Sequence, residues 1–197
     1  MIYIIQIMSI NKRDLVKELN ELRRDPKGYS YKVQKYKDYF EGNILRIPGN
    51  KAGIKTEEGP AAYDEAINFL KTAKAAEEMT PSKGLCNIAE DFLATVQKED
   101  PNNLPNINMD DIINRHGSFT GNFSRSMEFG GATPEQVIVN LVVSDGDKSR
   151  GQRDALLNDN LKKCGIATGP HDTYRTATII VGCTKFENSS GDDNVYL

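Results

Sequence analysis

Residues 133–143, TPEQVIVNLVV, constrain the fold more than any other stretch of the chain. The apolar run VIVNLVV suits a buried strand or a buried helix, and its preface decides between them. Thr133 is a cap residue, Pro134 fits the first helical position, and Gln136 completes a capping box. The run is therefore expected to be helix. Strand signals come only downstream, in CGIAT and in the β-branched TATIIVGC (residues 164–168 and 176–183). Helices come first and strands last, with no βαβ repeat. That order predicts α+β layers rather than a doubly wound sheet.

The remaining segments fit this plan. A first helix is expected over Asn11–Arg24, capped by Asn11, with Leu15, Leu19 and Leu22 on one face and Pro26 as its stop. Residues 27–57 are rich in Lys and Tyr and read as an irregular surface segment. A second helix starts near Pro60 and runs through AAYDEAINFLKTAKAAEEM, with Ala62, Ala66, Phe69 and Ala73 as its apolar stripe. A third follows TPSK, where Leu85, Ile88, Ala89, Phe92 and Val96 recur at helical spacing. EDPNNLPNIN, residues 99–108, is loop, and MDDIINR is a short helix.

With 197 residues the chain has room for one domain with a sizeable core. Its net charge of −3 lacks the basic face that nucleic acid requires. The N-terminal MIYIIQIM is too short to span a membrane and lacks the basic flank and cleavage site of a signal peptide. It reads as an arm over residues 1–10, ahead of a domain at 11–186 and a polar tail at 187–197. Cys86, Cys164 and Cys183 are odd in number and form no CxxC, so three free buried thiols in a reducing, cytoplasmic setting are expected. The glycosylation patterns at Asn122 and Asn188 carry no weight there.

SDGDKSRGQRDALLND, residues 144–159, sets seven charged residues around two glycines. It is no phosphate loop: the glycine which that motif requires five residues before Gly146 is Leu141. Asp145 and Asp147 are candidate cation ligands, with Glu128 upstream. However, aspartates beside glycine usually stabilise turns, and Arg150 and Arg153 would repel a cation. The stretch reads as a charged turn with internal ion pairs. Neither His116 nor His171 shares a local motif with a serine or cysteine.

EGPAAYDEAINFLK, GLCNIAEDF, INRHGSFTG, MEFGG, SRGQR and CGIATGPHDTY stand in the order and spacing of the CAP superfamily, the SCP-like cysteine-rich secretory, antigen and pathogenesis-related proteins. Over residues 58–186 the chain resembles a bacterial and protist branch of that superfamily. The resemblance implies an α-β-α sandwich, with helices on both faces of a small antiparallel sheet. It also implies a cleft which, in many members, holds a metal between two His and two acidic residues. Some members bind sterols or fatty acids.

The chain departs from the family at that cleft. The family's Gly-His pair falls near Asp100 and Pro101, its AENI glutamate at Arg125 and its SRGHR histidine at Gln152. Proline has no side-chain donor, arginine repels a cation, and glutamine shuttles no proton. His116, Glu128 and His171 are the cleft candidates left. The turn residues Gly130, Gly151, Gly165 and Gly169-Pro170-His171 persist. The expectation is therefore a scaffold kept after its site was lost: no enzyme, no cofactor and no metal. Its function would be structural, binding other proteins within a larger intracellular assembly. A cytoskeletal or ciliary lattice is the preferred form, with tubulin or microtubule-associated proteins as partners. A lipid- or sterol-binding protein is the first alternative, and a metal-dependent hydrolase using His116, Glu128 and His171 is the second.

Overall fold

The structure, a computed structural model, describes residues 10–101 except 51, residue 104 and residues 107–191. Of the expected arm only Ile10 is among them, and the end of the expected tail, 192–197, lies outside them.

Helix α1 spans Lys12–Arg24, and the Asn11 side chain accepts from the backbone N of Arg13 and Asp14. Pro26 does more than stop it. It opens α2, Pro26–Lys37, in the first-turn position where its missing N–H costs nothing, and Asp25 caps Gly28 N at 2.8 Å. The segment 27–57 is therefore not irregular. After α2 it forms a small antiparallel sheet of β1 (Phe40–Glu41), β2 (Ile44–Leu45) and β3 (Ile54–Lys55).

Helix α3, Pro60–Thr72, ends seven residues short of Met79. Residues 73–79 are helix formers by composition, but tertiary contacts pull them straight. The Asn20 side-chain amide donates to Met79 O and accepts from Met79 N, at 3.0 and 2.9 Å. Arg23 O accepts from Ala76 N, and Arg23 Nε donates to Glu77 O. The buried face of α3 is also not the expected alanine stripe. It consists of Ala62, Tyr63, Ala66, Ile67 and Leu70, while Phe69 is exposed beneath the guanidinium of Arg153.

The two-residue strand β4 (Thr80–Pro81) leads into α4 (Lys83–Val96), which buries every residue of its expected stripe. Helix α5 (Met109–His116) is followed by β5, Gly117–Phe129, a long strand whose first half is largely exposed. Helix α6, Pro134–Val143, starts as expected: Thr133 Oγ1 accepts from Gln136 N, and Gln136 Oε1 accepts from Ala132 N. Short α7 (Gly151–Leu157) precedes β6 (Lys163–His171) and β7 (Arg175–Asn188), the two strands expected from the sequence.

The main sheet has the order β4-β6-β7-β5 and is antiparallel apart from the β4–β6 pair. Central β7 is buried on both faces, which explains its unbroken apolar run. Ile180 on one face joins a core with α1, α2, α3 and α6. Ile179, Val181 and Cys183 on the other face pack against α4 and α5. The molecule is thus an α+β, α-β-α sandwich. All three cysteines are buried and free, and burial raises each thiol pKa. Among the described residues no helix is long and apolar enough to cross a membrane.

Candidate functional site

The side chains at the three altered cleft positions are engaged separately. Arg125 turns to the α4 face of β5, where its guanidinium lies 4.3 Å from the centre of the Phe92 ring. Gln152, on α7, uses Oε1 to accept from Met127 N at 2.9 Å. Pro101 lines a cavity beside Glu128, Phe129 and Tyr174.

The three remaining candidates do not converge. His116 ends α5 and pairs through Nε2 with Asp91 of α4 at 2.8 Å. It precedes the first residue of β5, whereas Glu128 is near that strand's last residue. At about 3.3 Å per residue the two lie some 40 Å apart along the chain. His171 packs edge-on against Phe129, with ring centres 5.1 Å apart. Its Nδ1 accepts from Thr173 N and Tyr174 N, so Nε2 carries the proton donated to Glu99 O at 3.0 Å. His171 thereby closes the β6–β7 turn and ties it to the loop after α4.

Glu128 stands alone on the α6 face, 5% exposed. Oε1 accepts from Asn140 Nδ2 at 2.8 Å and Oε2 from Gly131 N at 3.2 Å. Burial pushes its carboxyl pKa up to about 7, against the smaller opposing pull of these two donors. The fit is close: a Cβ on Gly131 would stand 2.6 Å from Oε2.

Glu128 lines a cavity of about 640 Å³ between the 45–57 hairpin, the end of β5, α6 and the β6–β7 turn. A second cavity of about 550 Å³ adjoins it, bounded by Tyr36, Ile47, Pro48 and Thr133. Asn50, Ala52, Gly130, Gln136 and Arg175 border both, so the two form one groove. Arg175 sits at φ 71°, a strained conformation for a residue with a side chain, and is exposed at the groove's rim.

The charged stretch 144–153 forms the groove's foundation. Its ion pairs are not internal, as expected, but reach back to the entry of α3. Arg150 donates to both oxygens of Glu58 at 2.7 and 2.8 Å and also pairs with Glu65. Buried Arg153 bonds Glu65 and the carbonyls of Val142 and Val143. The Asp145 carboxylate accepts from Glu57 N and Glu58 N, and the Asp147 carboxylate from Ser149 N. Asp147 thus acts as a turn residue, as expected, whereas Asp145 ties the turn to the approach to α3. Among the described residues no three His, Cys, Asp or Glu side chains cluster as metal ligands.

No family model and no curated protein matches the chain. Among solved structures it is similar to the crystal structure of a cysteine-rich secretory protein from Staphylococcus aureus, at 15% identity and a TM-score of 0.40, over 74% of this chain and 43% of that one. The chain spans less than half of that protein's length.

Of the groove's residues, Glu128, Asp145, Pro101 and Gln152 are ones the sequence singles out, whereas His171 lies outside its lining. The sequence reading missed Asn140, Gly131 and the 45–57 hairpin. Asn140, the one polar residue inside the apolar run VIVNLVV, was the available signal for the carboxylate's partner.

Proposed function

We propose that the chain is a non-enzymatic, protein-binding domain of the CAP-like kind, and that the groove over Glu128 receives its partner. One observation carries this reading: side chains at the cleft positions that the resemblance implies are spent on structure. Gln152 holds a strand amide, His171 holds a turn and a loop, and Arg125 stacks on Phe92. Among the described residues no acid–base pair faces the groove: its buried acid, Glu128, has an amide side chain and a backbone N–H as hydrogen-bond partners.

The partner belongs to a larger intracellular assembly, and a microtubule lattice is the form we favour. The test is affinity capture with the full chain beside an Ala52→Trp variant. Ala52 is exposed and borders both cavities, so an indole there fills the groove without touching the core. The expected result is one or a few partners held at fixed stoichiometry by the wild type and lost by the variant. Equal capture by both forms would remove the groove from the reading. Cosedimentation with polymerised tubulin tests its cytoskeletal form. Stoichiometric zinc binding in calorimetry, lost on His116→Ala, would instead favour the hydrolase.

A further inference from the structure

In the buried arginines Arg23 and Arg153 every guanidinium nitrogen has an acceptor. Arg23 is ringed by carbonyl oxygens, and Arg153 has Glu65 and two carbonyls. Glu128 is different. It is buried, no Lys, Arg or His among the described residues pairs with it, and its two bonds come from neutral donors. A carboxylate oxygen accepts two hydrogen bonds, so each oxygen keeps one vacant lone pair. A buried carboxylate without a cation is costly. Glu128 lines the cavity.

The cavity wall fits a cation on an apolar stem. Tyr174, Leu45 and Ile54 are among its lining, and the exposed Tyr174 supplies an aromatic ring that favours cations, while the Phe129 ring packs on His171 and the α4–α5 core. Asp145 and Glu57 add negative charge from the α6–α7 connection and the hairpin. Among the described residues the basic ones of the lining, Lys55 and Arg175, are exposed and bond neither oxygen of Glu128. Tyr63, from α3, is kept neutral by burial.

We infer that this cavity takes the ammonium or guanidinium group of a basic side chain on the partner, with the Glu128 carboxylate as its counter-ion. The inference rests on the protein-binding reading of the groove and names what the groove recognises. Binding requires the ionised carboxyl, and burial holds that group near neutrality. Docking a cation therefore expels a proton below about pH 7 and none well above it.

The experiment titrates the ¹⁵N-labelled full chain with acetyl-Gly-Lys-Gly-amide, its norleucine counterpart and butylammonium chloride, at pH 8.5 and 5.5. A lysine ammonium, titrating at about 10.4, stays charged throughout. The lysine peptide is expected to shift the Gly131 amide and the Asn140 side-chain amide, with affinity at least about tenfold weaker at pH 5.5. Norleucine is expected to leave both in place, and Glu128→Gln to abolish the lysine shifts. Equal binding of norleucine, or equal lysine affinity at the two pH values, overturns the inference. The pH arm needs no variant and so survives a misfolded one. Butylammonium binding without peptide binding overturns the partner side chain as source. Partner capture tests the earlier reading separately: lysine binding without capture sinks only that reading, and capture without lysine binding sinks only this inference.

Discussion

Arg150 and Glu58 form a two-pronged ion pair, Nη1 to Oε1 at 2.7 Å and Nη2 to Oε2 at 2.8 Å, across 92 residues of sequence. Arg150 adopts a left-handed conformation at φ 54° to do so, and it also bonds the carbonyls of Ser144 and Asp147. One side chain thus fixes the α6–α7 turn, the entry to α3 and one wall of the groove. Lysine would keep the charge but lose the planar fork.

The pair makes an acid limb predictable. The Arg150 hydrogen bonds hold the Glu58 carboxyl down at about 2, from an ordinary 4.5. A depressed carboxyl contributes stability that is full above 4.5 and lost as pH falls toward 2. Urea midpoints of the wild type should therefore fall across that window, and those of Arg150→Ala should fall less. Parallel curves would mean that solvent screens the pair into irrelevance.

Arg23 is fully buried and donates to the carbonyls of Glu77, Leu156, Asn158 and Leu161. It joins α1 to the straightened 73–79 segment and to the loop before β6. Arg23→Met keeps the volume of the stem and orphans those oxygens, at an expected cost of roughly 3–5 kcal/mol. Denaturant unfolding with unchanged slope measures it. A loss below about 0.5 kcal/mol would show that water replaces the guanidinium without penalty.

The same arginine shows why part of the fold was hidden in the sequence. Local code was legible: Thr133, Pro134 and Gln136 announced α6, the spacing from Leu85 to Val96 announced α4, and β-branching announced β7. Residues 73–79 carry helical composition, yet Asn20 and Arg23, more than 50 positions away, hold them straight. Pro26 signals the end of one helix and the start of the next with equal strength, so α2 was missed. Strand β5 was missed because its exposed half, Ser118 to Arg125, shows no apolar alternation. At the groove, Glu128 was legible only as a leftover acid. Its meaning depends on burial and on Asn140, which only the packing of α6 against β5 supplies.

Gly165 of β6 lies against the first turn of α4. A Cβ there would stand 2.0 Å from the carbonyl carbon of Leu85 and 2.1 Å from its oxygen, both backbone atoms. Helix and sheet must separate to admit it. Gly165→Ala is expected to cost about 3 kcal/mol or more. Gly151→Ala, whose Cβ would meet only Ser149 Oγ at 3.3 Å, serves as the mild control. Comparable melting temperatures for the two variants would show that α4 is not seated as closely as this contact implies.

Glu128 predicts the opposite pH trend from Glu58. Its carboxyl is raised by burial, from 4.5 to about 7. Below pH 4.5 folded and unfolded chains both hold the proton, and the group has no pH-dependent effect. Between 4.5 and 7 the unfolded chain gives the proton up while the folded one keeps it, so stability falls as pH rises. At about 1.4 kcal/mol per unit, the fall totals roughly 3 kcal/mol and is complete above pH 7. Glu128→Gln removes the titration but keeps the shape. Its constant cost, from an amide facing the Asn140 and Gly131 donors, cancels when only the pH dependence is compared. The variant should gain on the wild type by roughly 3 kcal/mol between pH 4.5 and 8 in urea unfolding. A saturating lysine peptide should recover part of that loss in the wild type above pH 7 and none in the variant, because the docked ammonium stabilises the ionised form alone. A pH-independent difference between the two proteins would mean that the carboxyl is hydrated in the groove and titrates as an ordinary glutamate.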